Sequence, residues 1–269
     1  MKFSNLHQHS TFSDGKSTPE EIVLFAIENQ MESIGFSDHR MTPFEVTMGY
    51  NCVTKETYAK YTAEIERLKQ KYSDKITLFK GIEADAFCLI DGEVYDYVIG
   101  SVHYLEANGK TYPIDHTARQ QMEYVNEACN GDFIKFAQDY YNQVVDCIKK
   151  FKPDIIGHFD VITKFSLIDE NNPTYQEIAK KALRECAKIT NLIEVNTGAI
   201  SRGYKTLPYP ADFLLKEALN LKMDVILSSD SHNKNTVICN FNESIELLKK
   251  IGFTHIAKLT KNGFIKENI

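Results

Sequence analysis

The sequence has no C-x-x-C pair, no excess of basic charge and no long apolar run. Six cysteines, Cys52, Cys88, Cys129, Cys147, Cys186 and Cys239, are scattered through 269 residues, a length that can bury a sizeable core without covalent staples. They are expected to be reduced, mostly buried thiols. The 31 Lys and Arg face 37 Asp and Glu, for a net charge of −6, and no basic stripe is available to neutralise a phosphate backbone, so nucleic acid is not an expected partner. No stretch approaches the roughly 20 apolar residues of a membrane-spanning helix. The start, Met1-Lys2-Phe3-Ser4-Asn5, has no apolar leader core, and the expected location is the cytoplasm. Linkers and low-complexity segments are missing too, and 43% hydrophobic with 25% charged residues is the make-up of an ordinary compact protein.

What is present is an alternation. Short β-branched or apolar runs at Phe3–His7, Ser33–Ser37, Ile76–Ile82, Tyr97–Val102, Asp154–Gly157, Leu192–Val195 and Asp224–Leu227 read as strands. Helical periodicity occupies Thr18–Asn29, Lys55–Tyr72, Asp132–Phe151, Thr174–Thr190, Pro210–Leu221 and Asn242–Ile251. Ser17-Thr18-Pro19-Glu20-Glu21 supplies a hydroxyl cap, an early proline and first-turn acids, and Thr54-Lys55-Glu56-Thr57 begins similarly. Seven βα units without a break predict a parallel sheet closed, or nearly closed, into a barrel formed by residues 1–269 as one domain. Glu106–Asn130 reads as polar and irregular, either an insertion at the working face or solvated surface.

Six of the 8 histidines fall at or just beyond the C-terminal end of an expected strand, the face where parallel α/β barrels carry their active sites. His7 and His9 close the first strand with i,i+2 spacing, so both rings can reach one ion. Asp14 follows in a turn, His39 ends the second unit, Glu83 the third, His103 the fourth and His158 the fifth, and Asp230 with His232 ends the seventh. Nine nitrogen or oxygen ligands exceed what one ion uses, which argues for two or three divalent ions with Glu83 or Asp230 as a bridging carboxylate. Without cysteine in the set, Zn, Mn or Fe(II) is expected. His116 and His255 fit no strand end and read as structural or surface residues. There is no phosphate-binding glycine loop, no H-E-x-x-H and no G-x-S-x-G elbow, leaving metal-activated water as the expected nucleophile.

The segments His7-Gln8-His9-Ser10 with Ser13-Asp14-Gly15, Ser37-Asp38-His39, Gly81-Ile82-Glu83-Ala84-Asp85, Gly100-Ser101-Val102-His103, Ile156-Gly157-His158, Glu194-Val195-Asn196-Thr197 and Ser229-Asp230-Ser231-His232 occur in order over nearly the whole chain. In these the sequence resembles the polymerase and histidinol phosphatase (PHP) phosphoesterases. Within that family, the stretch from Tyr140-Tyr141 through Pro153 to Phe165, and Glu194 to Gly198 followed by Arg202 and Tyr209-Pro210, are similar to the branch that hydrolyses histidinol phosphate. The resemblance implies a distorted (β/α)7, TIM-like barrel and a trinuclear centre. One ion would be held by His7, His9, Glu83 and Asp230, a second by Glu83, His103 and His158, and a third by Asp14, His39 and His232. Many relatives carry His where Asp14 stands, and a carboxylate there favours harder metals. The expected reaction converts L-histidinol phosphate to L-histidinol and phosphate by in-line attack of a metal-bridging hydroxide. Glu83 and Asp230 would serve catalysis, and no phosphoenzyme would form. Arg202, after the sixth strand, would fork onto the phosphate oxygens. Lys164 and Arg40 are further candidate phosphate contacts, with salt-bridge partner as the alternative role. Carboxylates and tyrosines of the 106–130 segment suit the substrate's amine and imidazole, with Glu106, Tyr112, Asp115 and Glu123 left open. Rival readings are another small ester such as a nucleotide or sugar phosphate, a non-catalytic metal-stabilised module, and amide or lactone hydrolysis.

Overall fold

A computed structural model describes residues 2–43 and 51–269. The elements run β1 (Ser4–Asn5), α1 (Pro19–Glu28), β2 (Ser33–Phe36), α2 (Tyr58–Lys71), β3 (Thr77–Asp85), β4 (Tyr97–Ser101), β5 (Tyr104–Ala107), β6 (Lys110–Pro113), α3 (Ala118–Cys129), α4 (Phe133–Phe151), β7 (Ile155–Ile156), α5 (Pro173–Ala187), β8 (Leu192–Asn196), α6 (Gly198–Ser201), α7 (Asp212–Asn220), β9 (Asp224–Ser228), α8 (Phe241–Ile251), β10 (His255–Thr260) and β11 (Gly263–Asn268). β1-β2-β3-β4-β7-β8-β9 form one seven-stranded parallel sheet in that order. Its two ends nearly meet. Just past β1 and β9, Gln8 and Ser231 form a parallel bridge, and the His9 N–H donates to the Ser231 carbonyl at 2.8 Å. The seven expected strands are the seven of this barrel, and the helices pack outside it.

The barrel interior is filled by Leu6, Phe79, Tyr97, Ile99, Ile155, Leu192 and Ile226. Tyr97 lies across it because Gly35 and Gly81 have no side chain where its ring passes: a Cβ at Gly81 would come within 2.2 Å of Tyr97 Cζ. The Tyr97 hydroxyl donates to the Leu6 carbonyl. Ala257 and Leu259 of β10 complete this cluster, so the β10–β11 hairpin seals the end opposite the histidines. The sequence reading did not anticipate that hairpin.

Two further departures have local causes. Residues 106–130 are ordered rather than irregular: the β5–β6 hairpin is followed by α3, whose Gln121, Tyr124, Val125 and Cys129 are buried. That spacing is helical, but a glutamine occupies one core position and hides the period. It is tolerated there because its amide donates to the Ile114 and Ile162 carbonyls at 2.9 and 3.0 Å. Helix α2 begins at Tyr58, not Lys55, since Thr54 accepts the Thr57 N–H at 3.1 Å and closes a turn first. At α1 the expected cap is present as a full capping box between Thr18 and Glu21. The six cysteines are free thiols, five of them buried. Among the described residues no helix is long and apolar enough to cross a membrane.

Candidate metal centre

The loops at the C-terminal ends of the barrel strands converge on Glu83, whose side chain is 1% exposed. Its Oε2 faces His7 Nε2 at 3.3 Å, His9 Nε2 at 3.5 Å and His39 Nδ1 at 3.0 Å, while Oε1 faces His103 Nε2 at 3.4 Å and His158 Nε2 at 3.0 Å. Asp230 Oδ1 approaches His9 Nε2 at 3.3 Å, His232 Nδ1 at 3.6 Å and His7 Nε2 at 3.8 Å. Asp14 lies 3.2 Å from His232 Nε2 and 3.7 Å from His39 Nε2. All nine expected ligand residues therefore lie in one cluster.

Their atoms form three groups of cation-binding size: His7, His9 and Asp230; His39, Glu83 and His103; and His9, Asp14, His39 and His232. The grouping differs in detail from the one implied by resemblance, because His9 and His39 each reach two groups. The side chains fit cations on a direct observation: His7 Nε2, His9 Nε2 and Glu83 Oε2 are buried and without hydrogen-bond partners. Such atoms are costly to bury unless something ligates them.

Charge in the cluster is graded by position. Burial and the neighbouring His232 and His39 push His9 down to about 3, keeping it a neutral ligand. Burial alone would lower His39, but the Glu83 and Asp14 carboxylates outweigh it and raise it to about 9. Burial would raise Glu83; the surrounding His7, His103 and His39 instead hold it well below the usual carboxylate range.

Local structure explains the placement. Gly15 permits the turn that carries Asp14, because a Cβ there would sit 2.3 Å from the His9 carbonyl oxygen. Asp230 has a φ of 45°, a left-handed conformation that side-chain-bearing residues seldom adopt and that strained functional positions do. Three carboxylates to which the sequence reading gave no role support the ligands. Glu194, fully buried, pairs with His7 Nδ1 at 2.8 Å and accepts the Ser228 hydroxyl at 2.6 Å and the His158 N–H. Asp85 accepts the His103 N–H at 2.7 Å, and Asp38 accepts from Ser10 N–H at 2.7 Å and Ser13 Oγ at 2.6 Å, tying down the His9 loop. Glu194 did leave a signal: a carboxylate inside the strand Leu192–Asn196, whose residues are all buried.

A cavity of about 410 Å³ opens over the cluster, lined by Arg202, Lys164, Asp115, Tyr104 and His116 as well as by His39, His103, His158 and His232. Arg202 donates to Asp230 Oδ2 at 2.9 Å and to the Asp230 carbonyl at 3.1 Å. Lys164 donates to the Asp115 carbonyl and lies 3.5 Å from its carboxylate. Arg40 does not line the cavity. It is 5% exposed, donates to Glu93 at 2.8 and 3.0 Å and to the Val53 carbonyl at 2.7 Å, so the salt-bridge role is the one observed. His116, expected to be structural or on the surface, stands at the cavity. His255 faces Asp224 at 3.2 Å in the sealing hairpin.

A barrel whose strand ends gather nine such ligands is a metal-site scaffold, and residues 5–198 match the model of the PHP domain family. The chain belongs to that family. It is 26% identical to the probable histidinol-phosphatase of Schizosaccharomyces pombe over 93% of this chain and 88% of that protein. It is 27% identical to the histidinol-phosphatase of Lactococcus lactis, covering 97% of this chain and 98% of the relative. The fold is that of the crystal structure of the L. lactis histidinol phosphate phosphatase complexed with Zn, L-histidinol and phosphate: TM-score 0.76, 24% identity, 98% of this chain and 99% of that one.

Proposed function

We propose that the whole chain acts as one cytoplasmic phosphoesterase domain that binds two or three divalent ions, Zn, Mn or Fe(II), and hydrolyses L-histidinol phosphate to L-histidinol and phosphate. The observation that carries this reading is a single carboxylate, Glu83, facing five imidazoles beneath a cavity with a guanidinium at its rim. The names of the relatives support the substrate. His7, His9, Glu83 and Asp230, then Glu83, His103 and His158, then Asp14, His39 and His232 are the proposed ligands. Bound there, divalent ions lower the pKa of water and offset the charge of a phosphate dianion.

The chain's own groups supply orientation and charge. Glu83, held ionised, presents one oxygen to each side of the cluster and so suits a bridge. Glu194, 2.8 Å from His7 Nδ1, and Asp85, 3.3 Å from His103 Nδ1, back the two rings and leave the lone pair of the opposite nitrogen to the cluster. Two Arg202 nitrogens are anchored on Asp230, which holds the guanidinium plane at the cavity mouth. Its remaining N–H groups are the proposed contacts for the non-bridging phosphate oxygens. Lys164 lines the same cavity and adds positive charge; Arg40, occupied by Glu93, leaves the proposed set.

Phosphate release from L-histidinol phosphate, sugar phosphates, nucleotides and p-nitrophenyl phosphate, measured with Zn-, Mn- and Fe-loaded protein, tests the reading. A preference of several orders of magnitude in kcat/KM for histidinol phosphate is expected. Equal or faster turnover of another ester would overturn the substrate and leave the metal chemistry standing.

A further inference from the structure

The proposed substrate carries an amine, protonated at neutral pH, on the carbon next to the one bearing the phosphate. Four side chains of the 106–130 segment were open as its receptor, and three are otherwise placed. Tyr112 donates to Glu127 at 2.9 Å, Glu123 pairs with Arg119 at 3.2 Å, and exposed Glu106 accepts from Thr111 at 3.3 Å. None of the three lines the cavity over the metal cluster, whereas Asp115 does.

Asp115 is also the one held in place. The preceding Ile114 N–H donates to the carbonyl of His103, a proposed metal ligand, at 2.9 Å, and the Ile114 carbonyl accepts from buried Gln121 at 2.9 Å. This seats the Asp115 carboxylate in the wall of the cavity that also exposes His103 and His158. Burial would raise Asp115, but Lys164, His103 and His116 outweigh it, so the group is ionised at neutral pH. One oxygen, Oδ2, lies 3.5 Å from Lys164 Nζ. The other, Oδ1, is buried without a hydrogen-bond donor; His116 Nε2 is 3.8 Å away, beyond hydrogen-bond range. An ionised carboxylate oxygen is acceptor-only, and leaving it desolvated and unpaired is costly.

We infer that the Asp115 carboxylate, whose side chain is 15% exposed at the cavity, receives the ammonium group of the substrate and thereby sets specificity for phosphate esters of 2-amino alcohols. The inference rests on the proposed phosphatase reading. Arg202 and the metal ligands would hold the dianionic end, and Asp115 the cationic end, of one small zwitterionic molecule.

The test compares kcat/KM for L-histidinol phosphate, its deamino analogue and p-nitrophenyl phosphate in the wild-type protein and in Asp115→Asn, with metal content measured alongside. The expected result is at least a tenfold preference for the amine-bearing ester over the deamino analogue in the wild type. In Asp115→Asn that ratio should collapse towards one, mainly through KM. Turnover of histidinol phosphate with no advantage from the amine, or a ratio unchanged in Asp115→Asn, overturns the inference and keeps the phosphatase reading. Hydrolysis of p-nitrophenyl phosphate alone removes both. A measurement on the wild type covers the case in which the variant does not fold: L-histidinol should inhibit competitively at least tenfold more tightly than its deamino analogue, and equal inhibition overturns the role of Asp115.

Discussion

At the scale of single residues, the centre depends on a negative charge surrounded by imidazoles. Glu83→Gln keeps the shape but removes the charge that offsets bound cations, so metal content by elemental analysis should fall and turnover should drop at least a thousandfold. Full activity with normal metal would remove Glu83 as the bridge. Glu194 acts through His7, and Glu194→Gln should weaken metal affinity about 10- to 100-fold, the usual effect of losing a partner behind a ligand. Proton competition has a definite sign. His39 is raised to about 9 in the metal-free cluster, and a protonated imidazole cannot ligate, so cation binding must expel its proton. Metal affinity should therefore rise with pH by about tenfold per unit for each proton released, and the His39 contribution should level off above about pH 9. Zinc titrations from pH 6 to 9.5 read this directly, and a flat profile would contradict it.

At the scale of elements, the short parallel strands place ligands at one end while the β10–β11 hairpin closes the other. Leu259 is 6% exposed in the barrel-interior cluster. Leu259→Ala should cost about 2–5 kcal/mol in urea unfolding, the range for truncating a packed leucine. Because the hairpin lies at the far end of the barrel, kcat should stay close to wild type. A cost below about 0.5 kcal/mol, as at an ordinary surface site, would mean that the hairpin does not stabilise the barrel. Helix α3 shows why this layer was only partly legible: its apolar period contains Gln121, whose role depends on carbonyls of Ile114 and Ile162, and no local pattern announces such partners.

At the scale of the molecule, the cluster draws ligands from both ends of the chain, so ions bound there would cross-link the barrel where β1 and β9 approach. Chelation should lower the unfolding temperature. A ligand at a thousandfold over its Kd adds about 4 kcal/mol, equivalent to a shift on the order of 10 °C for a chain of this size. Scanning fluorimetry with a chelator, followed by added Zn, would show the loss and its recovery. No shift would mean that the fold does not depend on the centre.

The strands and helices of the barrel, and the residues that cluster at its working face, were readable in the sequence because both are local signals. Periodicity marks each barrel strand and most helices, and most of the clustered residues sit at or just past a strand end. Tertiary structure decided which ligand atoms face one another, that Glu194 supports His7 across 187 residues of sequence, and that Arg40 is taken up by Glu93. It also distinguished Asp115 from three other plausible side chains and packed Ala257 and Leu259 of β10 against the barrel interior. These outcomes depend on the distance and burial of groups remote along the chain, and local patterning carries no record of either.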